Sequence, residues 1–216
     1  MFIKICGITS PEDAQEAASL DIQAVGLVFY PKSPRYVPEA TARDIVRVLP
    51  SHILAVGIFV DVPSTAILAT AHSLGLHAVQ LHGLEPPEDI IHLKAAGLCV
   101  IKALFVNRNP SLLDHPRYAP SAFLVECAGT HRPGGNALAW DWGQARGIVH
   151  GTPMILAGGL TPENVQGAIR IAEPDGVDVS SGVESQPGRK DPEKMQRFVN
   201  AVRRLRPRPM QGGIFA

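Results

Sequence analysis

Short apolar runs rich in β-branched residues alternate along the chain with longer stretches in which apolar residues recur at helical spacing. Buried strands give short continuous apolar runs, and amphipathic helices place apolar residues three to four positions apart. The predicted strands lie at residues 2–5, 24–28, 54–59, 78–81, 100–104, 122–126, 153–156 and 176–179. The pattern therefore predicts eight strand-helix units.

The predicted helical stretches follow the strands at residues 11–20, 39–49, 64–74, 87–96, 109–115, 140–149, 162–171 and 192–205. Ser10 followed by Pro11 is typical of a helix start, because a serine oxygen can accept from the first N–H groups and proline suits the first turn. The stretch over 109–115 is polar and has the weakest pattern. We expect helices to cover the strands on their outer side.

Strands that alternate with helices predict a parallel sheet, because a parallel return needs a crossover that a helix usually supplies. Eight units favour closure into a single (β/α)8 TIM barrel, although a doubly wound open sheet has the same local pattern. The 216 residues also match the ~200–250 typical of one barrel. We expect one barrel domain over residues 1–206 and an irregular tail over 207–216.

Charge and cysteine content exclude several classes of partner. Twenty basic and twenty acidic residues cancel, which argues against nucleic acid. The longest apolar run, residues 53–60, is far short of the ~20 needed to span a bilayer, and no signal-peptide pattern opens the chain. The three cysteines form no CxxC pair and fit reduced thiols better than disulfides or a metal site. We expect a cytoplasmic protein that binds no membrane and no metal.

The active site of a (β/α)8 barrel lies at the carboxyl ends of its strands, so residues that follow each strand are the candidates. Gly158 and Gly159 follow the seventh predicted strand, and Ser180, Ser181 and Gly182 follow the eighth. Glycine lets backbone approach a ligand closely, and barrels frequently bind phosphate at this position through N–H groups. Tight turns would use the same glycines, but two such loops on consecutive strands favour a phosphate site.

Other strand ends carry side chains that could act chemically. Cys6 could be a base or nucleophile, or a small buried hydrophobe. Glu126 ends the apolar run 122–125, where a carboxyl group either pairs with a cation or stays neutral and can donate a proton. Arg35 lies in a proline-stiffened loop that could hold its guanidinium for a carboxylate, or it is a surface arginine. His82 is a site residue or a hydrogen-bonded one, and Cys127 is expected to be structural.

Six segments together resemble one enzyme family. They are Lys-Ile-Cys-Gly-Ile-Thr at 4–9, Gly-Leu-Val-Phe at 26–29 with Ser-Pro-Arg at 33–35, Gly-Ile-Phe-Val-Asp at 57–61, Gln-Leu-His-Gly at 80–83, Leu-Ala-Gly-Gly-Leu at 156–160, and Gly-Val-Asp-Val-Ser-Ser-Gly-Val-Glu at 176–184. In this order and spacing the chain resembles the phosphoribosylanthranilate isomerases of tryptophan biosynthesis. The first and last segments are specific to that family, whereas many phosphosugar barrels carry the Gly-Gly loop.

The resemblance implies a cofactor-free Amadori rearrangement of N-(5-phosphoribosyl)anthranilate to 1-(o-carboxyphenylamino)-1-deoxyribulose 5-phosphate. It implies that Cys6 is the general base, that Glu126 occupies the position of the general acid, and that Arg35 holds the anthranilate carboxylate. Further substrate contacts are expected from Gln80, His82 and Asp178, and phosphate contacts from Gly158, Gly159, Ser180, Ser181 and Gly182. The family also leads us to expect a monomer or a homodimer.

The chain departs from the family pattern at the acid and its loop. Glu126 stands where the family usually has aspartate, and Gly-Gly-Asn-Ala at 134–137 replaces the usual Gly-Gly-Thr-Gly. The carboxyl group lies one methylene further out, and a misplacement of ~1 Å can cost ~10²-fold in rate. Two alternatives therefore stay open: another phosphosugar barrel enzyme, such as a ProFAR-type isomerase or indole-glycerol-phosphate synthase, and a non-catalytic phosphosugar-binding protein that lost its acid.

Overall fold

The eight predicted strands form one closed parallel barrel in a computed structural model that describes residues 1–127, 140–148 and 151–205. The strands are β1 Phe2–Cys6, β2 Ala24–Val28, β3 Leu54–Phe59, β4 Ala78–Leu81, β5 Cys99–Phe105, β6 Ala122–Glu126, β7 Met154–Leu156 and β8 Gly176–Val179. They pair in sequence order, and β8 pairs back with β1. Closure confirms the TIM barrel and excludes the open doubly wound sheet.

Among the residues that the structure describes, six α-helices cover the outside of the barrel. They are α1 Pro11–Ala18, α2 Glu39–Val48, α3 Ser64–Leu74, α4 Pro87–Ala95, α5 Val165–Ala172 and α6 Pro192–Arg203. The Ser10 hydroxyl oxygen accepts from the N–H of Asp13 at 3.2 Å, which confirms the predicted start of α1. Most strand-helix units therefore form where the apolar pattern predicts them.

Two of the predicted helices are wrong. A 3₁₀ helix over Leu112–Arg117 follows β5, and another over Trp142–Ala145 follows β6. Pro116 lacks the N–H that a longer helix needs, and Gly147 has φ +67°, outside the right-handed helical region. The first 3₁₀ helix nevertheless begins with a capping box formed by Ser111 and Asp114. Within the described residues, both segments thus form 3₁₀ helices and not the predicted α-helices.

A small hairpin that the sequence pattern does not predict follows β8. Its strands are β9 Glu184–Gln186 and β10 Arg189–Lys190. Helix α5 also begins later than the predicted residue 162, because the Asn164 side chain holds the preceding turn: its Oδ1 accepts from the N–H of Thr161 at 2.7 Å. Both features lie at the carboxyl end of the barrel and shape the loops there.

Side chains alternate along each strand, so every strand sends one set of residues outward to the helices and one set inward. The inward set is mostly apolar in the lower and middle barrel, and includes Phe2, Val56, Ile101, Leu124 and Ile155. Towards the carboxyl ends the inward set becomes polar. The barrel is thus a packed core that opens into a polar cavity only at the end where the sequence predicts the site.

The described residues bear on two further expectations. No helix within residues 1–127, 140–148 and 151–205 is long and apolar enough to cross a lipid bilayer. The tail expected over 207–216, the domain boundary at 206 and the altered loop over 134–137 lie outside the described residues.

Removal of the α1 cap gives a test of this part of the fold. Ser10→Ala leaves the N–H of Asp13 without its side-chain acceptor, so we expect the free energy of unfolding in urea to fall by about 1 kcal/mol. Ser10→Asp keeps an acceptor oxygen and should retain nearly all of the stability. An equal loss in both variants would show that the cap does not stabilise α1.

Candidate active site

One cavity at the carboxyl end of the barrel gathers every residue that the sequence singles out for chemistry or binding. Its lining includes Cys6, Arg35, Gln80, His82, Glu126, Gly158, Gly159, Asp178, Ser180, Ser181 and Gly182. These residues come from six different strand ends and are brought together only by barrel closure. Cys127, expected to be structural, lines the cavity as well, because β6 ends at Glu126 and strand alternation no longer applies there.

A buried ion pair lies beneath the Cys6 thiol. Lys4 is two residues before Cys6 on β1 and therefore shares its inward face. The Lys4 Nζ donates to Oδ1 of Asp178 on β8 at 2.9 Å, and it also contacts the Cys6 thiol. The Lys4 ammonium is close enough to stabilise a thiolate on Cys6, and the Asp178 carboxylate holds the ammonium in position. Lys4 belongs to the family-like segment 4–9 but was not among the candidate site residues, although its spacing from Cys6 places it on the same face of β1.

Burial dominates the acid-base behaviour of this group. It raises the pKa of the Cys6 thiol, and the Lys4 ammonium only partly opposes that rise. Burial also disfavours the ammonium form of Lys4, but the Asp178 carboxylate and the Cys6 sulfur together outweigh it, so the pKa of Lys4 is raised. The pKa of Asp178 is raised by burial and partly restored by Lys4. The thiol is therefore mostly protonated at neutral pH, with a cation in place for the thiolate.

Space beside the thiol depends on a glycine of β2. A Cβ on Gly26 would come within 2.8 Å of the Cys6 Sγ. Val28 and Ile58 form an apolar wall with Cys6, and Tyr30 packs against it. An aromatic or aliphatic part of a ligand would fit against this wall, next to the sulfur.

Glu126 lies in a chain of three buried polar side chains. Its Oε1 is 3.0 Å from Nε2 of His82, and Nδ1 of His82 is 2.9 Å from Nε2 of Gln80. The exposed fractions are 4% for Glu126, 6% for His82 and 1% for Gln80. Glu126 thus has a neighbouring imidazole as its partner and still faces the cavity.

Arg35 is held by an acidic residue that the sequence analysis did not single out. Its Nε donates to Oε1 of Glu184 at 2.7 Å and its Nη2 to Oε2 at 2.6 Å, while Lys190 Nζ donates to the same Oε1 at 2.9 Å. Burial disfavours the Glu184 carboxylate, but the hydrogen bonds from Arg35 and the charge of Lys190 outweigh it and lower the pKa of Glu184. Burial lowers the pKa of Lys190. This side-on pairing leaves the Nη1 edge of the guanidinium for a second carboxylate.

The two glycine-containing loops have the backbone geometry of an anion site. Gly158 and Gly159 have φ of +84° and +67°, which favours glycine. A Cβ on Gly182 would overlap the carbonyl oxygen of Leu160, so the two loops touch through backbone alone. Within the described residues, no hydrogen bond uses the N–H groups of Gly159, Ser181 and Gly182. These donors are available to an anionic oxygen.

Two tryptophans hold the first of these loops from the other side. Trp140 Nε1 donates to the carbonyl oxygen of Ala157 at 3.1 Å, and Trp142 Nε1 donates to that of Gly158 at 3.4 Å. With both carbonyls bound to indoles, the peptide groups of the loop are fixed in orientation. The sequence pattern places the two tryptophans after β6 but does not predict that their indoles bind the loop after β7.

The described residues contain no cluster of three or more histidine, cysteine, aspartate or glutamate side chains that could hold a metal ion. The chemistry that these residues offer is proton transfer and anion binding. Cys6 and Glu126 both line the cavity and can each exchange a proton with a ligand, and Arg35 and the glycine loops can bind negative charge.

The raised pKa of Cys6 predicts how its thiol reacts. In a Cys99→Ala, Cys127→Ala background, we expect the alkylation rate with iodoacetamide to rise about tenfold per pH unit between pH 7 and 9, because only the thiolate reacts. Lys4→Met removes the cation that stabilises the thiolate, so the alkylation rate of this variant should rise only at still higher pH. A rate that is already level at pH 7 would contradict the buried, protonated thiol.

The lowered pKa of Glu184 predicts a pH-dependent contribution to stability. Glu184→Gln leaves Arg35 and Lys190 without their buried carboxylate, so the free energy of unfolding at pH 7 should fall by about 3 kcal/mol. Because the folded pKa lies below the unfolded value of ~4.3, this difference should shrink as pH falls below about 4. Asp44→Asn, at the exposed pair with Arg47, is the control and should change little. A difference that is independent of pH would argue against the charged pair.

Comparisons with known proteins agree with this geometry. A family model described as N-(5'phosphoribosyl)anthranilate (PRA) isomerase matches residues 3–201. The N-(5'-phosphoribosyl)anthranilate isomerase of Desulfatibacillum aliphaticivorans is 50% identical over 197 residues, which cover 91% of this chain and 90% of that protein.

Solved structures extend the comparison to the fold. The crystal structure of phosphoribosyl anthranilate isomerase from Thermus thermophilus has a TM-score of 0.86 and 34% identity, over 95% of this chain and 100% of that chain. A structure of the isomerase in complex with reduced 1-(o-carboxyphenylamino)-1-deoxyribulose 5-phosphate has a TM-score of 0.81 and 36% identity, with the same coverage. Since sequence and fold agree over nearly the full length of these relatives, the chain belongs to the N-(5'-phosphoribosyl)anthranilate isomerase family.

Proposed function

We propose that the protein catalyses the cofactor-free rearrangement of N-(5-phosphoribosyl)anthranilate to its ketose in tryptophan biosynthesis, with Cys6 as general base and Glu126 as general acid. The observation that carries this proposal is the shared cavity: Cys6 and Glu126 line the same space as Arg35 and as backbone N–H groups that make no hydrogen bond within the described residues. The substrate has a carboxylate at one end and a phosphate at the other, which matches these two anion sites. Membership in the isomerase family supports the same reaction.

The substrate is placed by its two charged ends. We assign the phosphate to the N–H groups of Gly159, Ser181 and Gly182, where two loops meet through backbone. The anthranilate carboxylate binds the Nη1 edge of Arg35, and the aromatic ring lies against the apolar wall beside Cys6. The ribose then lies between them, within the part of the cavity that Glu126 and Cys6 line. Asp178 lines the same cavity, where it can contact the substrate, and its Oδ1 also accepts from Lys4.

Ring opening is the task of the acid. Protonated Glu126 gives its proton to the furanose ring oxygen, the bond from that oxygen to C1 breaks, and the nitrogen lone pair forms the C1=N double bond of the Schiff base. Glu126 is left as a carboxylate that His82 can stabilise across 3.0 Å. A positioned acid of this kind contributes about 10²–10⁴-fold.

Proton abstraction is the task of the base. The Cys6 thiolate takes the proton from C2, the electrons of that C–H bond form a C1=C2 double bond, and the π electrons of C1=N return to the nitrogen. The resulting enolamine gains a proton at C1 and loses the proton of the C2 hydroxyl group, which gives the ketose. Lys4 lies next to the sulfur and stabilises the thiolate before the proton is taken. The buried Asp178 keeps the ammonium in place. Base and acid are thus on different strands and act on different atoms.

The longer acid side chain is accommodated by its partner. Glu126 reaches His82 at 3.0 Å, and the contact fixes a carboxyl group that has one methylene more than aspartate. Glu126→Asp would withdraw the carboxyl group from His82 and from the substrate. Because a misplacement of ~1 Å can cost ~10²-fold, we expect this shortening to lower kcat in the present barrel.

The test uses the loss of anthranilate fluorescence when the protein meets freshly generated phosphoribosylanthranilate. Wild type should turn over, and Cys6→Ala and Glu126→Gln should each lower kcat by at least about 10²-fold, because each removes one proton transfer. Cys99→Ala is the control and should keep full activity, because Cys99 begins β5 and therefore lies at the end of the strand away from the cavity. Binding of the reduced product analogue should survive in both inactive variants.

Other outcomes contradict the proposal in distinct ways. Full turnover in Cys6→Ala would remove Cys6 as base. Binding of the product analogue without turnover in wild type, and recovery in Glu126→Asp, would identify a phosphosugar-binding protein that lost its acid. Neither binding nor turnover would direct attention to another phosphosugar substrate.

We further propose that the protein is cytoplasmic and that it is a monomer or a homodimer. Cys6 must remain a thiol to act as base, which fits the reducing cytoplasm. The ligand class is a small phosphosugar, and all the residues that we assign to it come from one chain. The proposed assembly, a monomer or a homodimer, is read from the solution mass by light scattering.

A further inference from the structure

The chain of hydrogen bonds from Glu126 through His82 ends at Gln80, whose buried side-chain oxygen has no partner among the described residues. Only 1% of Gln80 is exposed, yet its side-chain carbonyl oxygen Oε1 accepts no hydrogen bond within the described residues. Gln80 lines the cavity. Buried acceptors in native proteins are nearly always satisfied, and because Gln80 lines the cavity, a bound ligand is a source for the donor that the described residues do not supply.

The directions of the hydrogen bonds follow from the donor inventory. The Gln80 amide nitrogen can only donate, so Nδ1 of His82 accepts and the imidazole proton lies on Nε2. This N–H then donates to Oε1 of Glu126. Because Oε1 is the acceptor, the acidic proton of neutral Glu126 lies on Oε2, which makes no hydrogen bond to His82.

The opposite orientation of the amide would disable the acid. If Oε1 of Gln80 faced His82, Nδ1 would carry the proton and Nε2 would become an acceptor. Neutral Glu126 would then donate its proton to His82 rather than to the substrate. The orientation of one amide therefore decides where the acidic proton points.

The imidazole itself has little freedom to compensate. Its ring packs edge-on against Phe105, with centroids 5.3 Å apart, and the backbone oxygen of His82 accepts from Arg108 at 3.3 Å. The backbone and the ring are thus held from two sides. Of the three side chains, the Gln80 amide is the one with an atom, Oε1, that has no partner among the described residues.

We infer that the free oxygen of Gln80 accepts a hydrogen bond from a hydroxyl group of the bound sugar, and that this contact holds the amide in the orientation that keeps Glu126 able to donate. Phosphate and carboxylate groups offer this oxygen no donor. The aryl amine N–H lies next to its own ortho carboxylate and donates there, so the sugar hydroxyls are the remaining donors. Gln80 and His82 are positioning residues, and the inference rests on the proposed function.

Steady-state kinetics with the wild-type assay test this inference first. His82→Leu should lower kcat at least about tenfold with little change in KM, because the acid is misdirected while the binding groups stay in place. His82→Gln carries an N–H near the position of Nε2 and should restore most of kcat. Gln80→Met should lower kcat and raise KM together, since it also removes the sugar contact.

Two further variants separate positioning from general damage. Gln80→Glu presents only acceptors to His82, so the proton is drawn to Nδ1, and kcat should fall further than in Gln80→Met. Ser64→Ala removes a hydroxyl that is 3.0 Å from Nδ1 of His92, outside the cavity, and should leave kcat unchanged. An unchanged kcat in folded His82→Leu, or equal values in Gln80→Glu and Gln80→Met, would overturn the inference.

The tautomer of His82 gives a readout that does not depend on variant folding. In wild type labelled with ¹⁵N at histidine and bound to the reduced product analogue, the ring shifts should report the proton on Nε2. A proton on Nδ1 in a protein that turns over substrate would overturn the inference and leave the proposed function intact. Absence of turnover in wild type would instead refute the proposed function.

Discussion

The ion pair between Lys4 and Asp178 lies where the first strand of the barrel meets the last. Its 2.9 Å contact crosses the seam between β1 and β8, where Lys4 is in register with Asp178. Both side chains are buried, and such a pair repays its desolvation only when the geometry is good and the surrounding groups are satisfied. Here the pair also places a cation under the Cys6 thiol. The same ion pair thus links β1 to β8 and supplies the positive charge that stabilises the Cys6 thiolate.

Similar buried pairs fix the loops around the cavity. Glu184 and Lys190 hold the Arg35 guanidinium from the hairpin after β8. On the neighbouring rim, Lys102 Nζ donates to Glu85 at 2.6 Å, and the same carboxylate accepts from the backbone N–H groups of Asp61 and Gly83. The loops after β3 and β4 are tied together in this way. A substrate therefore meets a rim whose charged groups are already oriented, which lowers the reorganisation needed for catalysis.

The apolar pattern predicted the barrel because each strand and helix has its own period, and closure followed from the number of units. It failed after β5 and β6, where 3₁₀ helices stand in place of the predicted α-helices: Pro116 lies inside the first and has no N–H to donate, and Gly147 follows the second at positive φ. For the site, strand ends were enough to select Cys6, Glu126 and the glycine loops. Glu184 could not be matched to Arg35 from sequence, since the two are 149 positions apart and meet only in the closed barrel.

The division of labour between Cys6 and Glu126 is the central claim, and a kinetic isotope effect with substrate deuterated at ribose C2 tests it most directly. Cys6→Ser weakens the base, so removal of the C2 deuteron should limit the rate and the isotope effect on kcat should exceed that of wild type. Glu126→Gln slows ring opening, a step that leaves the C2 bond intact, so its isotope effect should fall towards unity. Equal effects in the two variants, or the reverse order, would contradict the assignment of base and acid.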